Sequence, residues 1–140
     1  MKKWFIYLIL ISSIMITGCT HELTTMTLLD EKIERIDVSI SNGTGSVNEE
    51  TLSTLDDKTS IKQMERIITY AELVEADTPM KNPDYDVVVS YGDDFPKHAI
   101  HIWLGEEGEK STLSYLVEDG GTYYTSVKDT KKLRELILDK

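Results

Sequence analysis

The first regular pattern in the chain is an alternation of apolar and polar residues. Ile36, Val38 and Ile40 fall on one side of the backbone and polar residues on the other, which is typical of a half-buried strand. The glycine-rich run 42–46 then predicts a turn or loop. A short second strand over 51–57 stays open, because its two leucines are poorly spaced for an alternating pattern.

Helical spacing replaces the alternation after this region. Ser60 followed three residues later by Gln63 resembles a capping box, which marks the start of a helix. Apolar residues then recur three and four positions apart, at Ile61, Met64, Ile67, Ile68 and Ala71. The spacing predicts a helix from about 60 to 74 with one apolar face directed at the core.

Four further strands are predicted after the prolines at 79 and 83. Each has a period of two and is separated from the next by a turn rich in glycine and acidic residues. The predicted strands cover about 85–91, 97–104, 111–117 and 122–127. Because short turns join consecutive strands, we expect an antiparallel meander.

The C-terminal region predicts a closing helix. Ser126 and Asp129 resemble a second capping pair, and Leu133, Leu136 and Ile137 form an apolar side. The resulting order is β(β)αββββα, an α+β fold with an antiparallel sheet of about five to six strands and two helices on one face. We expect the other face of the sheet to be exposed to water.

The N-terminus has the three parts of a signal peptide. Lys2 and Lys3 provide a positive start, residues 4–16 are mainly apolar, and Thr17 and Gly18 are small. The apolar stretch has 13 residues, whereas a spanning helix needs about 20. Residues 1–18 are therefore predicted to be a cleaved leader.

The four residues Ile16-Thr17-Gly18-Cys19 resemble the lipobox of bacterial lipoproteins. The resemblance implies cleavage before Cys19 and attachment of diacylglycerol to its sulfur, which would hold the protein on the outer face of the bacterial cytoplasmic membrane. The alternative is an ordinary secretory signal in which the cysteine is incidental. We expect 19–32 to be a lipidated tether and 33–140 to be a single domain.

Composition narrows the range of partners. The chain has a net charge of −10, and both lysines of the leader would be lost on cleavage, which leaves 13 basic against 25 acidic residues. Binding to nucleic acid is disfavoured, because it needs basic residues clustered on one face. Cys19 is the only cysteine, so no intramolecular disulfide can form.

The sequence does not indicate a catalytic or metal-binding site. His98 and His101 are three apart on a predicted strand, so their side chains should point to opposite faces. The acidic residues cluster in predicted turns, where solvation is the simplest role. We expect no catalytic, cofactor or metal residues. A small hydrolase that uses two carboxylates on wall or extracellular glycans is the alternative hypothesis.

Aromatic residues of the meander provide one candidate binding face. Tyrosine and tryptophan give a large contact area with a polar group. The candidate residues are Tyr85, Tyr91, Trp103 and Tyr123. The alternative is that these rings pack across strands beneath the helices.

The meander and the last helix contain four short motifs: Pro83-Asp84-Tyr85, Trp103-Leu104, Gly121-Thr122-Tyr123-Tyr124, and Leu133 with Leu136 and Ile137. These motifs resemble those of small Gram-positive lipoproteins with a YhfM-like domain. The resemblance runs from about residue 33 to the C-terminus and implies a fold and a location, but no catalytic residue. We therefore expect a membrane-anchored, non-catalytic binding or accessory domain whose partner is an envelope protein or a wall ligand.

Overall fold

A computed structural model describes residues 24–79, 81–117 and 120–139 of the 140-residue chain. The strands in these ranges are β1 (Arg35–Ile40), β2 (Thr51–Leu55), β3 (Glu72–Val74), β4 (Tyr85–Ser90), β5 (His98–Trp103), β6 (Thr112–Tyr115) and β7 (Thr122–Tyr124). The helices are α1 (Lys58–Thr69) and α2 (Val127–Leu138). The predicted leader and Cys19 lie outside the described residues.

All seven described strands form one antiparallel sheet, in the order β2-β1-β4-β5-β6-β7-β3. One face of the sheet packs against both helices and forms the core. Its most buried side chains include Ile36, Val38, Val87, Ile100, Ile102 and Leu113 from the sheet, and Met64, Ile67, Leu133 and Ile137 from the helices. The predicted α+β class is confirmed, with seven strands rather than five to six.

The first helix is shorter than the predicted 60–74. It begins after Asp57, whose carboxylate accepts a hydrogen bond from Ser60 N–H at 2.9 Å. The helix ends at Thr69, and 72–74 form β3 instead of a last helical turn. The prediction was wrong there because β3 pairs with β7, which is distant in sequence.

The second helix begins as predicted. Ser126 Oγ accepts a hydrogen bond from Asp129 N–H at 3.0 Å, and the Ser126 hydroxyl donates to the Asp129 carboxylate at 2.8 Å. Asp129 also accepts from the Arg66 guanidinium on α1 at 3.0 Å, which ties the two helices together. Neither described helix is both long enough and apolar enough to cross a membrane.

The N-terminal segment (24–34) is part of the fold. Thr25 pairs with Glu72 beside β3, and Met26 is only 1% exposed in the core. Met26 N–H donates to Ala71 O at 3.1 Å, and Ile33 is also buried. The predicted tether (19–32) was therefore wrong from residue 24 onward. The apolar residues of this segment have no helical or strand period, although Met26 and Ile33 are buried in the core.

The sheet face opposite the helices is not open to water at its centre, which corrects the expectation of a wet face. Asp86 is fully buried, and both His101 and Trp103 are 4% exposed. The β1–β2 loop (41–50) and the β3–β4 connection cover these side chains through hydrogen bonds. Loops that are polar and rich in turn residues can thus bury polar groups, which a sequence pattern does not reveal.

Candidate functional site

The four aromatic residues of the predicted binding face do not share one surface. Tyr85 and Tyr123 lie on the helix-covered side, in register with Ile102 and Leu113. Tyr91 follows β4 on the same side and is 4% exposed. Trp103 lies on the opposite side, because it follows Ile102 on β5 and successive side chains of a strand point to opposite faces. The expected common face is therefore not formed, since alternation along the strands separates these side chains.

Trp103 fixes a loop in place. Its indole N–H donates a hydrogen bond to the carbonyl of Lys81 in the β3–β4 connection at 2.8 Å. The ring also stands edge-on to the His101 imidazole, with centroids 6.1 Å apart. The tryptophan therefore packs between the sheet and the chain that crosses it, and it offers little free surface.

Asp86 and His101 form a buried pair at the centre of the loop-covered face. They are direct cross-strand partners on β4 and β5, and His101 Nδ1 lies 2.8 Å from Asp86 Oδ1. The second carboxylate oxygen, Oδ2, accepts from Asn48 N–H at 3.0 Å. Gly45 N–H donates to His101 Nε2 at 3.4 Å. All of the loop contacts come from the backbone.

These contacts define the tautomer of His101. Nε2 accepts a hydrogen bond, so the ring proton is on Nδ1 and is donated to Asp86. A carboxylate that orients an imidazole in this way is also used by hydrolases to position a base. Here Gly45 covers the free nitrogen, so in this conformation the pair holds the β1–β2 loop rather than a substrate.

The sequence contains one signal for this pair. Asp86 and His101 are polar residues at matching positions of two adjacent strands whose other faces are apolar. Because the sheet face opposite the helices is predicted to be exposed to water, the sequence alone places both residues in solvent. The prediction that His98 and His101 point to opposite faces is confirmed, because His98 pairs with Val89 on the helix side.

A second polar cluster holds the N-terminal segment against the sheet. Tyr115 is bound to Thr27 twice: its hydroxyl accepts from Thr27 N–H and donates to Thr27 O, both at 2.7 Å. The Tyr91 hydroxyl accepts from Leu29 N–H at 3.3 Å and lies 2.8 Å from His98 Nδ1. The His98 ring is in contact with both tyrosine rings.

Burial perturbs the titration of this cluster. It lowers the pKa of His98 below its ordinary value, because the charged imidazolium is disfavoured away from water. Burial also raises the pKa of Tyr91; the hydrogen bond from Leu29 opposes that change, and the negative charge of Glu65 and the nearby Tyr115 hydroxyl add to it. The neutral forms of both side chains are therefore favoured in the folded protein.

The acidic residues give little support to a catalytic carboxylate pair. The clusters at 49–50, 56–57, 93–94 and 106–109 are exposed at their acidic positions, as expected for solvated turns. In the described part of the chain, the buried carboxylates are Asp86, paired with His101, and Asp129, paired with Arg66. Among the described residues, no group of three or more histidine, cysteine or acidic side chains could hold a metal ion.

A groove of about 670 Å³ lies between the N-terminal segment and the start of α1. Ile33 and Ile61 provide apolar surface. The charged residues around it are Glu31, Lys32, Glu34, Asp56, Lys58, Lys62 and Glu65. Because both signs of charge are interspersed, the groove favours no single class of ligand.

Comparison with known protein families identifies the family of this chain. A family model described as "YhfM protein" matches residues 29–140. The chain belongs to the YhfM family. The resemblance inferred from the short motifs of the meander and the last helix is therefore confirmed, and the match extends into the N-terminal segment.

A solved structure with a similar fold is a thioesterase-like protein from Clostridium sporogenes. It is 16% identical, with a TM-score of 0.58, and the alignment covers 77% of this chain and 96% of that chain. At this identity the likeness concerns the fold alone. No curated protein matches the chain.

Proposed function

We propose that this YhfM-family protein is a lipid-anchored, non-catalytic binding or accessory domain on the outer face of the bacterial cytoplasmic membrane. Lipid on Cys19 would hold it there. Its β1–β2 loop would face an envelope protein or a wall-associated ligand. The observation that carries the proposal is the position of Thr24, which is held in the fold only five residues after the lipobox cysteine.

The short distance from Cys19 to Thr24 gives the anchor a structural consequence. Five residues span at most about 17 Å when fully extended. Thr24 O accepts a hydrogen bond from Leu73 N–H at 2.7 Å, so the chain enters the fold at the β3 edge of the sheet. A lipid on Cys19 would therefore keep this edge close to the bilayer.

The β1–β2 loop is placed well for contact with a partner. Its hydrogen bonds to Asp86 and His101 hold it over β4 and β5, and β5 is three interstrand spacings, or about 14 Å, from β3. The tip residues Thr44, Gly45 and Ser46 are exposed. Backbone hydrogen bonds to the buried Asp86–His101 pair fix the loop, and such preorganisation lowers the entropy cost of binding.

The anchor is tested with the native chain and its Cys19→Ala variant. We expect the native protein in the membrane fraction, with an intact mass that shows loss of residues 1–18 and gain of lipid. The variant should lack the lipid and leave the membrane fraction or retain its leader. If both forms are secreted with the same cleavage site and no added mass, the anchor is excluded.

The binding role of the loop is tested by crosslinking on intact cells. A photoreactive amino acid at Thr44 should give a discrete crosslinked species, because this position is exposed on the fixed loop. The same amino acid at Val127, which is 45% exposed at the start of α2, is the matched control. Equal patterns from both positions, or none from Thr44, would exclude the loop as the partner surface.

Hydrolysis of wall or extracellular glycans is the second candidate, and it has less support. This chemistry uses two carboxyl groups on either side of the scissile bond, one of them protonated through desolvation. Asp86 and Asp129 are the carboxylates buried within the described ranges, and each faces a basic side chain rather than a second carboxylate. The geometry thus favours a structural role for both.

A further inference from the structure

One hydrogen bond of the N-terminal segment, from Leu29 N–H to the Tyr91 oxygen, depends on a proton between Tyr91 and His98. The Tyr91 oxygen accepts from Leu29 N–H, and its own proton can be donated to His98 Nδ1 if that nitrogen is unprotonated. With the protons placed in this way, Leu29 N–H, the Tyr91 hydroxyl and His98 Nδ1 each have a hydrogen-bond partner. A protonated His98 would have a donor at Nδ1, so Tyr91 would face two donors and its hydroxyl proton would lose its acceptor.

We propose that the N-terminal segment is a pH-sensitive strap, in which protonation of His98 weakens the hold of Tyr91 on Leu29 and loosens the segment from the sheet. Tyr115, which forms two hydrogen bonds with Thr27, also contacts the His98 ring, and the two ring centroids are 6.1 Å apart. Two of the side-chain hydrogen-bond sites that hold the segment, Tyr91 and Tyr115, therefore both contact His98.

The ring contacts of His98 are with two tyrosines, and burial is the cause that lowers its pKa. Tyr91 and Tyr115 contact the ring from the strands on either side of β5. Glu65 of α1 is the acidic group that acts on Tyr91, and Lys97 is adjacent in sequence. The described part of the N-terminal segment faces this cluster with the backbone of Thr27 and Leu29.

The direction of the pH effect follows from the lowered pKa of His98. The folded state with the docked segment prefers the neutral ring, whereas a free histidine has a pKa of about 6.5. The stabilising contribution is therefore fully present above about pH 6.5 and is lost as the pH falls through the lower pKa of the folded state. Mild acid should loosen the segment.

Release would change how far the domain reaches from the membrane, and this consequence rests on the proposed anchor. With the segment docked, about 17 Å of chain separates Cys19 from the fold. If the segment detaches as far as the buried Ile33, fourteen residues are free and the limit becomes about 48 Å. The docking equilibrium itself does not require the lipid.

Residue-resolved hydrogen exchange on the full-length processed protein tests the inference. After correction for intrinsic rates, we expect protection of the Leu29 amide to fall about threefold or more between pH 7.5 and pH 5.5. Amides of β4 and β5 should stay protected, which separates loosening of the segment from global unfolding. His98→Asn keeps a hydrogen-bond acceptor but cannot be protonated, so it should abolish the change.

Two controls make the result decisive. Tyr91→Phe removes the hydroxyl, so Leu29 should be weakly protected at both pH values and show no pH step, even if His98→Asn does not fold. A pH step that persists in either variant overturns the inference, as does a flat profile in the wild type. The same exchange measured on the Cys19→Ala chain should be unchanged, which separates this test from that of the anchor.

Discussion

Replacement of Asp86 by Ala is expected to lower the free energy of unfolding by about 3–5 kcal/mol, because it leaves buried donors without an acceptor. Asp86 is fully buried and accepts from His101 Nδ1 at 2.8 Å and from Asn48 N–H at 3.0 Å. Urea unfolding monitored by tryptophan fluorescence measures the change. The β1–β2 loop should also become more sensitive to protease, since Asn48 loses its contact.

The matched control for this substitution is Asp93→Ala. Asp93 is exposed in the turn between β4 and β5, so its removal should change the stability by no more than about 0.5 kcal/mol. A loss of less than about 1 kcal/mol in Asp86→Ala would contradict a central role for the buried pair. In that case the loop would have to be held by other contacts.

Met26→Ala is expected to cost about 2–5 kcal/mol, which is the usual range for truncating a fully buried methionine. Met26 is 1% exposed and its backbone N–H is bound to Ala71 O. The result matters because the sequence pattern places this residue in a flexible tether, for which the cost would be close to zero. Equilibrium unfolding in urea measures the loss of stability, and so distinguishes a buried Met26 from a Met26 in a flexible tether.

Leu52→Ala is the control for this prediction. Leu52 is a large apolar residue that is 52% exposed on the edge strand β2, so its truncation should cost no more than about 0.5 kcal/mol. Similar small effects for Met26→Ala and Leu52→Ala would mean that the N-terminal segment does not contribute to the stability of the domain. The inferred strap would then fail as well.

Burial of Asp86 and Met26 has one common cause. In both cases the chain involved has no regular secondary structure: the β1–β2 loop covers Asp86, and Met26 lies in the N-terminal segment that packs into the core. Each covering segment is held by a polar pair or cluster on the sheet. The two histidines of β5 therefore have different roles: His101 fixes a loop, and His98 lies between the tyrosines that hold the N-terminal segment.

The sequence by itself determined the features that depend on nearby residues. Ser126 and Asp129 cap α2 as the spacing indicates, because the capping contact spans three residues. The strands β4 to β7 appear where the apolar period is two, and His98 and His101 point apart because alternation is a local property of a strand. The short motifs were also enough to indicate the YhfM family.

Only the tertiary structure decided the features that depend on distant partners. Leu73 looks like part of a helix until β7 pairs with it, and the aromatic candidates Tyr123 and Trp103 look alike until the sheet places them on opposite faces. Burial of Asp86, His101 and Met26 is likewise set by long-range contacts. Such contacts leave no periodic trace in the sequence, because the residues that make them are far apart along the chain.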